Sequence, residues 1–135
     1  MRAQECVIDG FRLWIEDDVL CLQANGPMTA AIVDGVQARS LEILSHHPDY
    51  YILGDLRDAG LIPSGLRRRL AEYGAQHPPR AIALYNVGIV IHGINALLFG
   101  AMNALSGRKQ PLKHCATEAE ARAWLQTQRP ARSGP

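Results

Sequence analysis

The feature that most limits how this chain can fold is a long segment without charge. The 27 residues between Arg80 and Arg108 contain no Asp, Glu, Lys or Arg. A bilayer-spanning helix needs about 20 apolar residues, so the segment is long enough to cross a membrane. Its polar side chains would each cost several kcal/mol in lipid without partners. They are Asn86, His92, Asn95 and Asn103. Because turn-prone residues also divide the segment at 86–88, we predict a strand and a helix of a globular domain, with no membrane span.

Composition indicates one globular domain. The 135 residues include 14 Lys and Arg against 13 Asp and Glu, a net charge of +1. This balance disfavours a general binder of nucleic acid. We predict one domain over residues 1–126 and a flexible tail over 127–135. The first ten residues are too polar for a signal peptide, and the three cysteines lie far apart, so we expect a cytoplasmic protein with reduced thiols.

The spacing of apolar residues predicts an α/β fold. Residues 11–23 alternate around Asp17 and Asp18, which is typical of a β-hairpin. Further strands are predicted at 50–56, 80–87 and 112–115, and helices over about 30–47, 63–77, 89–105 and 118–126. The resulting order, ββαβαβαβα, predicts a mixed sheet covered by helices.

Sequence motifs for common catalytic and metal sites are absent. The chain has no GxxxxGK[ST], GxGxxG, GxSxG, HExxH or CxxC pattern. His46 and His47 are adjacent on a helix and point apart, as do His114 and Cys115 on a strand. We therefore expect a protein that is not an enzyme and holds no metal and no cofactor.

The segment after the central strand carries the most informative polar residues. The strand ends near Asp55, a loop follows, and a helix begins near Ser64. A hydroxyl in the first turn of a helix favours added negative charge, so Ser64 is a candidate phosphorylation site, and capping of the helix is the alternative. We predict a partner-binding surface over this segment and the start of the helix. Its residues are Asp55, Arg57, Asp58, Gly60, Ser64, Gly65, Arg67 and Arg68.

The third helix has more apolar surface than one sheet face can cover. On a helical wheel, His92, Asn95, Phe99 and Asn103 cluster within about 80°. This face is a candidate site for an apolar ligand or for a homodimer contact. The alternative is that neighbouring helices cover the excess apolar surface.

Three segments together resemble the SpoIIAA-like, or STAS, superfamily. They are DVLCLQANGPMT, ILGDLRDAGLIPSGL and ATEAEARAWL, and the resemblance covers roughly residues 11–126. Anti-sigma-factor antagonists of this superfamily carry a serine pair in the second segment, and the phosphorylated serine falls on Ser64, with Pro63 in place of the first serine. The long apolar third helix and the ending EARAWL resemble the stand-alone SpoIIAA-like proteins more than they resemble a sigma-factor regulator. The resemblance implies a compact, non-catalytic domain, often dimeric.

These observations lead to three functional expectations. The first is a cytoplasmic regulatory domain of STAS type that binds a protein partner through residues 57–65 and the following helix. The alternative is a domain that binds an apolar small molecule or lipid along the helix at 89–105. Homodimer formation through the same helix is a third expectation.

Overall fold

Residues 3–107 and 111–130 are described by the structure, which is a computed structural model of the chain. Six strands form one mixed sheet, and their order across the sheet follows their order along the chain. The strands are β1 (Ala3–Ile8), β2 (Phe11–Glu16), β3 (Val19–Gly26), β4 (Tyr51–Ala59), β5 (Ala81–Tyr85) and β6 (Leu112–Cys115). The first three pair antiparallel, and β3 to β6 run parallel. The predicted α/β class with a mixed sheet is confirmed.

The antiparallel half is built from two tight hairpins. Asp9 and Gly10 connect β1 to β2 with φ angles of 48° and 89°, the left-handed pair that a two-residue hairpin turn requires. Asp17 begins the second turn at φ 57°. β1 was not predicted, so the order is βββαβαβαβα.

Four helices cover the sheet. They are α1 (Ala30–Leu44), α2 (Ser64–Gln76), α3 (Ile89–Ser106) and α4 (Glu118–Thr127). α1, α2 and α3 each connect neighbouring parallel strands. Because such crossovers are right-handed, strands that follow one another in a single direction place all three helices on one face. α4 follows the last strand and packs on the opposite face.

Alternating strand residues form the two cores. Leu53 and Ala83 pack against Ala121 and Leu125 of α4. Their neighbours Ile52 and Ile82 point the other way, toward α2 and α3. Both faces of β4 and β5 are therefore covered, as is usual for parallel strands.

Side chains fix the ends of two helices. Thr29 accepts a hydrogen bond from the Ile32 amide at 3.3 Å, and Thr117 accepts one from the Glu120 amide at 3.2 Å. Gly107 ends α3 at φ 73° and donates to the Asn103 carbonyl. Residues 131–135 of the expected tail lie outside the described residues. Within the preceding part, α4 continues to Thr127, and Arg129 donates to both carboxylate oxygens of Asp18 at 2.7 Å.

Candidate functional site

An apolar cavity of about 140 Å³ lies between the sheet and the face formed by α1, α2 and α3. Its walls include side chains of the sheet, of α2 and of α3. The sheet contributes Leu22, Ile52 and Leu84, α2 contributes Leu70, and α3 contributes Ile94 and Phe99. Such a wall binds apolar groups, because it offers contact area and almost no hydrogen-bonding atoms.

Small residues leave room for the cavity. Gly74 of α2 faces Met102 of α3, and a Cβ on Gly74 would collide with the Met102 sulfur. This contact brings α2 and α3 close together at one end of the cavity. Ala24, Ala59 and Gly60 line the opposite part with little side-chain volume.

Two tyrosines at the cavity wall already have hydrogen-bond partners. The Tyr50 hydroxyl donates to the His77 carbonyl at 2.5 Å, and the Tyr73 hydroxyl is hydrogen-bonded to Ser40. Burial raises the pKa of both tyrosines above its usual value, so both stay protonated at neutral pH. Their hydroxyls are thus committed to the protein.

Asn95, which also lines the cavity, differs from the two tyrosines because its side-chain donor has no partner among the described residues. The residue is 4% exposed, and its side-chain amide nitrogen Nδ2 is buried without a hydrogen-bond partner among the described residues. Leaving such a donor unpaired costs about 1–3 kcal/mol, which a ligand with an acceptor atom would recover. Asn95 therefore lines an apolar cavity and carries a buried donor without a partner among the described residues.

The structure divides the residues predicted on the third helix. Asn95 and Phe99 line the cavity, whereas His92 and Asn103 do not. His92 is exposed, and its ring centroid lies 4.2 Å from that of His114 on β6. The Asn103 carbonyl accepts from the Gly107 amide at 3.0 Å, at the end of the helix. The structure therefore places two of the four predicted residues at the cavity.

The segment predicted to bind a partner is less of a loop than expected. β4 was predicted to end at residue 56 but continues to Ala59, so Arg57 and Asp58 belong to the strand and are exposed. The strand extends because β3 remains its partner, with Asn25 beside Asp58 and Gly26 beside Ala59. The loop is reduced to residues 60–63.

Asp55 and Gly60 have structural partners. The Asp55 carboxylate accepts hydrogen bonds from the Arg57 amide at 3.1 Å and from the Asn86 side chain at 3.0 Å. The Gly60 amide donates to the Gly26 carbonyl at 2.8 Å. A Cβ at Gly60 would lie 2.7 Å from the Pro27 nitrogen, so the glycine is needed for close packing of two backbones.

Ser64 begins α2 and is exposed. Pro63 occupies the cap position, and no side chain caps the first turn, so the capping role considered for Ser64 is not observed. Gly65 is exposed and open on its Cβ side. Arg68 pairs with Glu72 at 2.9 Å, and Arg67 lies with it beside α3.

Sequence reasoning did not find the cavity as a whole. Leu22, Ile52 and Leu70 look like ordinary core residues in the sequence, and Gly74 inside a helix is a local sign of close packing. Among the described residues, no three His, Cys, Asp or Glu side chains come together as a metal site. By length and composition alone, α3 also qualifies as a helix able to cross a membrane.

No family model matches the chain, and no curated protein matches it.

Proposed function

We propose that this protein binds a small apolar molecule that carries one hydrogen-bond acceptor, in the cavity between the sheet and α3. The observation that carries the proposal is the buried, unpartnered amide nitrogen of Asn95 at the wall of an otherwise apolar cavity. A rotation of the Asn95 side chain would bring Nδ2 to the cavity, where an acceptor such as a carbonyl oxygen would take its hydrogen bond and the wall would contact the remaining atoms.

The cavity volume limits the size of the ligand. An engineered apolar cavity of about 150 Å³ in another protein binds benzene, and the cavity described here has about 140 Å³. We therefore propose a ligand, or a ligand segment, of about the size of one ring with a short substituent. Aromatic and short aliphatic carbonyl compounds have this size and one acceptor.

Two probes of equal shape test the proposal. Acetophenone carries a carbonyl, and α-methylstyrene replaces its oxygen with a methylene group. Binding of both is measured by NMR titration to the wild type, to Asn95→Leu and to Asn103→Leu, a control on the same helix outside the cavity. We expect the preference for acetophenone to fall about fivefold to tenfold in Asn95→Leu, because about 1 kcal/mol of hydrogen bonding is lost.

The preference is expected to persist in Asn103→Leu. An unchanged preference in Asn95→Leu contradicts the role of Asn95. Failure of both probes to shift any cavity resonance contradicts ligand binding in this cavity.

A second candidate function is a cytoplasmic, non-catalytic regulatory domain of STAS type. It is supported by the exposed Ser64 at the uncapped start of α2, next to the exposed Arg57 and Asp58. The free amides of a helix start would stabilise a phosphate on Ser64. Intact-mass measurement on protein from its native cells tests this: a phosphorylated fraction that disappears in Ser64→Ala supports it, and no such fraction under any growth condition contradicts it.

A further inference from the structure

The outer face of α3 is apolar and open. We define this outer face as the exposed residues Ile89, Val90, Gly93, Ala96, Leu97, Gly100, Ala101, Ala104 and Leu105. Ile89 is 94% exposed, and Val90, Leu97 and Leu105 are 67%, 66% and 58% exposed. These residues cover about half of the helix circumference. A continuous apolar surface of this kind marks a contact with something other than water.

Positive charge borders the outer face on one side. Arg67 and Arg68 of α2 lie in the same groove as Leu97 and Leu105, with Glu72 as the groove's one carboxylate. Glu72 is already paired with Arg68 at 2.9 Å. Arg67 makes no ion pair within the described part of the chain. The groove therefore carries a net positive charge next to an apolar helix.

We propose that the outer face of α3, with Arg67 and Arg68, docks on the surface of an anionic lipid bilayer. The apolar side chains would enter the region between headgroups and acyl chains, and the two arginines would contact lipid phosphates. A second copy of the chain fits less well, because α3 has no Asp or Glu to place opposite Arg67. A bilayer with anionic lipid supplies both the apolar layer and the negative charge.

In this orientation α3, which forms part of the cavity wall, lies against the bilayer. The opposite side of α3 places Asn95 and Phe99 at the cavity. The proposal goes beyond ligand binding and does not depend on it, because the outer face and the cavity lie on different sides of the helix.

Flotation with lipid vesicles tests the docking surface. The full chain is mixed with vesicles of phosphatidylcholine containing about one-third phosphatidylserine, and in parallel with phosphatidylcholine alone. We expect binding to the anionic vesicles that weakens with added salt. Removing both charges in R67Q/R68Q is expected to weaken binding about thirtyfold, from about 1 kcal/mol for each arginine near such a surface.

Matched variants separate the outer face from general surface effects. L97Q/L105Q is expected to weaken vesicle binding at least tenfold. Two controls are expected to leave vesicle binding unchanged. They are L41Q, at an exposed leucine of α1, and R57Q, at an exposed arginine of β4. Circular dichroism checks that each variant is folded.

Three results would overturn the proposal: no binding to anionic vesicles, equal binding to neutral vesicles, or a dimer in light scattering that L97Q/L105Q dissolves. Acetophenone binding without vesicles is measured on the same variants, so failure of docking and failure of cavity binding are distinguishable.

Discussion

The imidazole rings of His92 on α3 and His114 on β6 are in tilted contact, with a centroid distance of 4.2 Å and an angle of 43° between the ring planes. The Nε2 atom of His114 is buried without a hydrogen-bond partner among the described residues. Burial lowers the pKa of His114 below its usual 6.5, and the nearby His92 lowers it further. The contact joins α3 to the edge strand, and the lowered pKa favours the neutral form of the His114 ring.

This contact predicts a pH dependence of stability. Because the pKa of His114 is lower in the folded protein than in the unfolded chain, the unfolded chain binds more protons between the two values. The contribution of His114 to the free energy of unfolding is therefore fully present above about pH 6.5. It decreases as the pH falls through 6.5 toward the pKa of the folded protein. Urea unfolding across this range measures it.

His114→Gln is expected to flatten that part of the profile. His46→Gln changes an exposed histidine near the end of α1 and is the control. It is expected to keep the wild-type slope of the free energy of unfolding against pH. A slope in His114→Gln as steep as that of the wild type would show that another group titrates.

Asn95→Leu is expected to stabilise the ligand-free protein. The substitution removes an unpaired buried donor and fills part of the cavity, so we expect the free energy of unfolding to rise by about 1–2 kcal/mol. Urea denaturation of ligand-free protein measures the change. A lower free energy of unfolding would mean that the Asn95 amide has a structural partner in solution and is not reserved for a ligand.

Two glycines of the predicted partner-binding segment are expected to respond in opposite ways. Gly60→Ala places a Cβ 2.7 Å from backbone atoms of Gly26 and Pro27, and we expect a loss of about 2 kcal/mol or more. Gly65→Ala meets no atom within 4 Å and lies in the first turn of α2. It is expected to be neutral or to stabilise by up to about 1 kcal/mol. Thermal unfolding of both variants compares them, and equal effects would contradict the close packing at Gly60.

Glu16 and Arg122 join β2 to α4. Arg122 donates to the Glu16 carboxylate at 2.8 and 3.1 Å, and this lowers the pKa of Glu16 from 4.5 to about 2. The resulting stabilisation is present above pH 4.5 and is lost as the pH falls through 2. It is worth about 1 kcal/mol or less, because both side chains are partly exposed.

Arg122→Gln is expected to return the pKa of Glu16 toward 4.5, as measured by an NMR titration of the Glu16 carboxyl resonance. Arg68→Gln removes an exposed arginine on the other face of the sheet and serves as the control. A Glu16 pKa that stays near 2 in Arg122→Gln would show that other donors hold the carboxylate ionised.

Local patterns were informative where neighbours in sequence are also neighbours in space. Thr29 and Thr117 precede apolar helical repeats, and both cap their helices. β1 was missed although Asp9 and Gly10 form a strong hairpin signal. Its own residues, AQECVI, do not alternate cleanly, and the strand exists because β2 pairs with it.

By itself, the sequence determined the α/β class, the places of the four helices and the mixed character of the sheet, because helix and strand periodicities are set by the local backbone. Only the tertiary structure decided that Asn95 faces a cavity while His92, three residues earlier, contacts His114. The same holds for Gly60, whose constraint comes from a backbone more than thirty residues away in the chain. The rotation of α3 about its axis and the approach of distant backbones follow from packing between elements, which the pattern within one element does not contain.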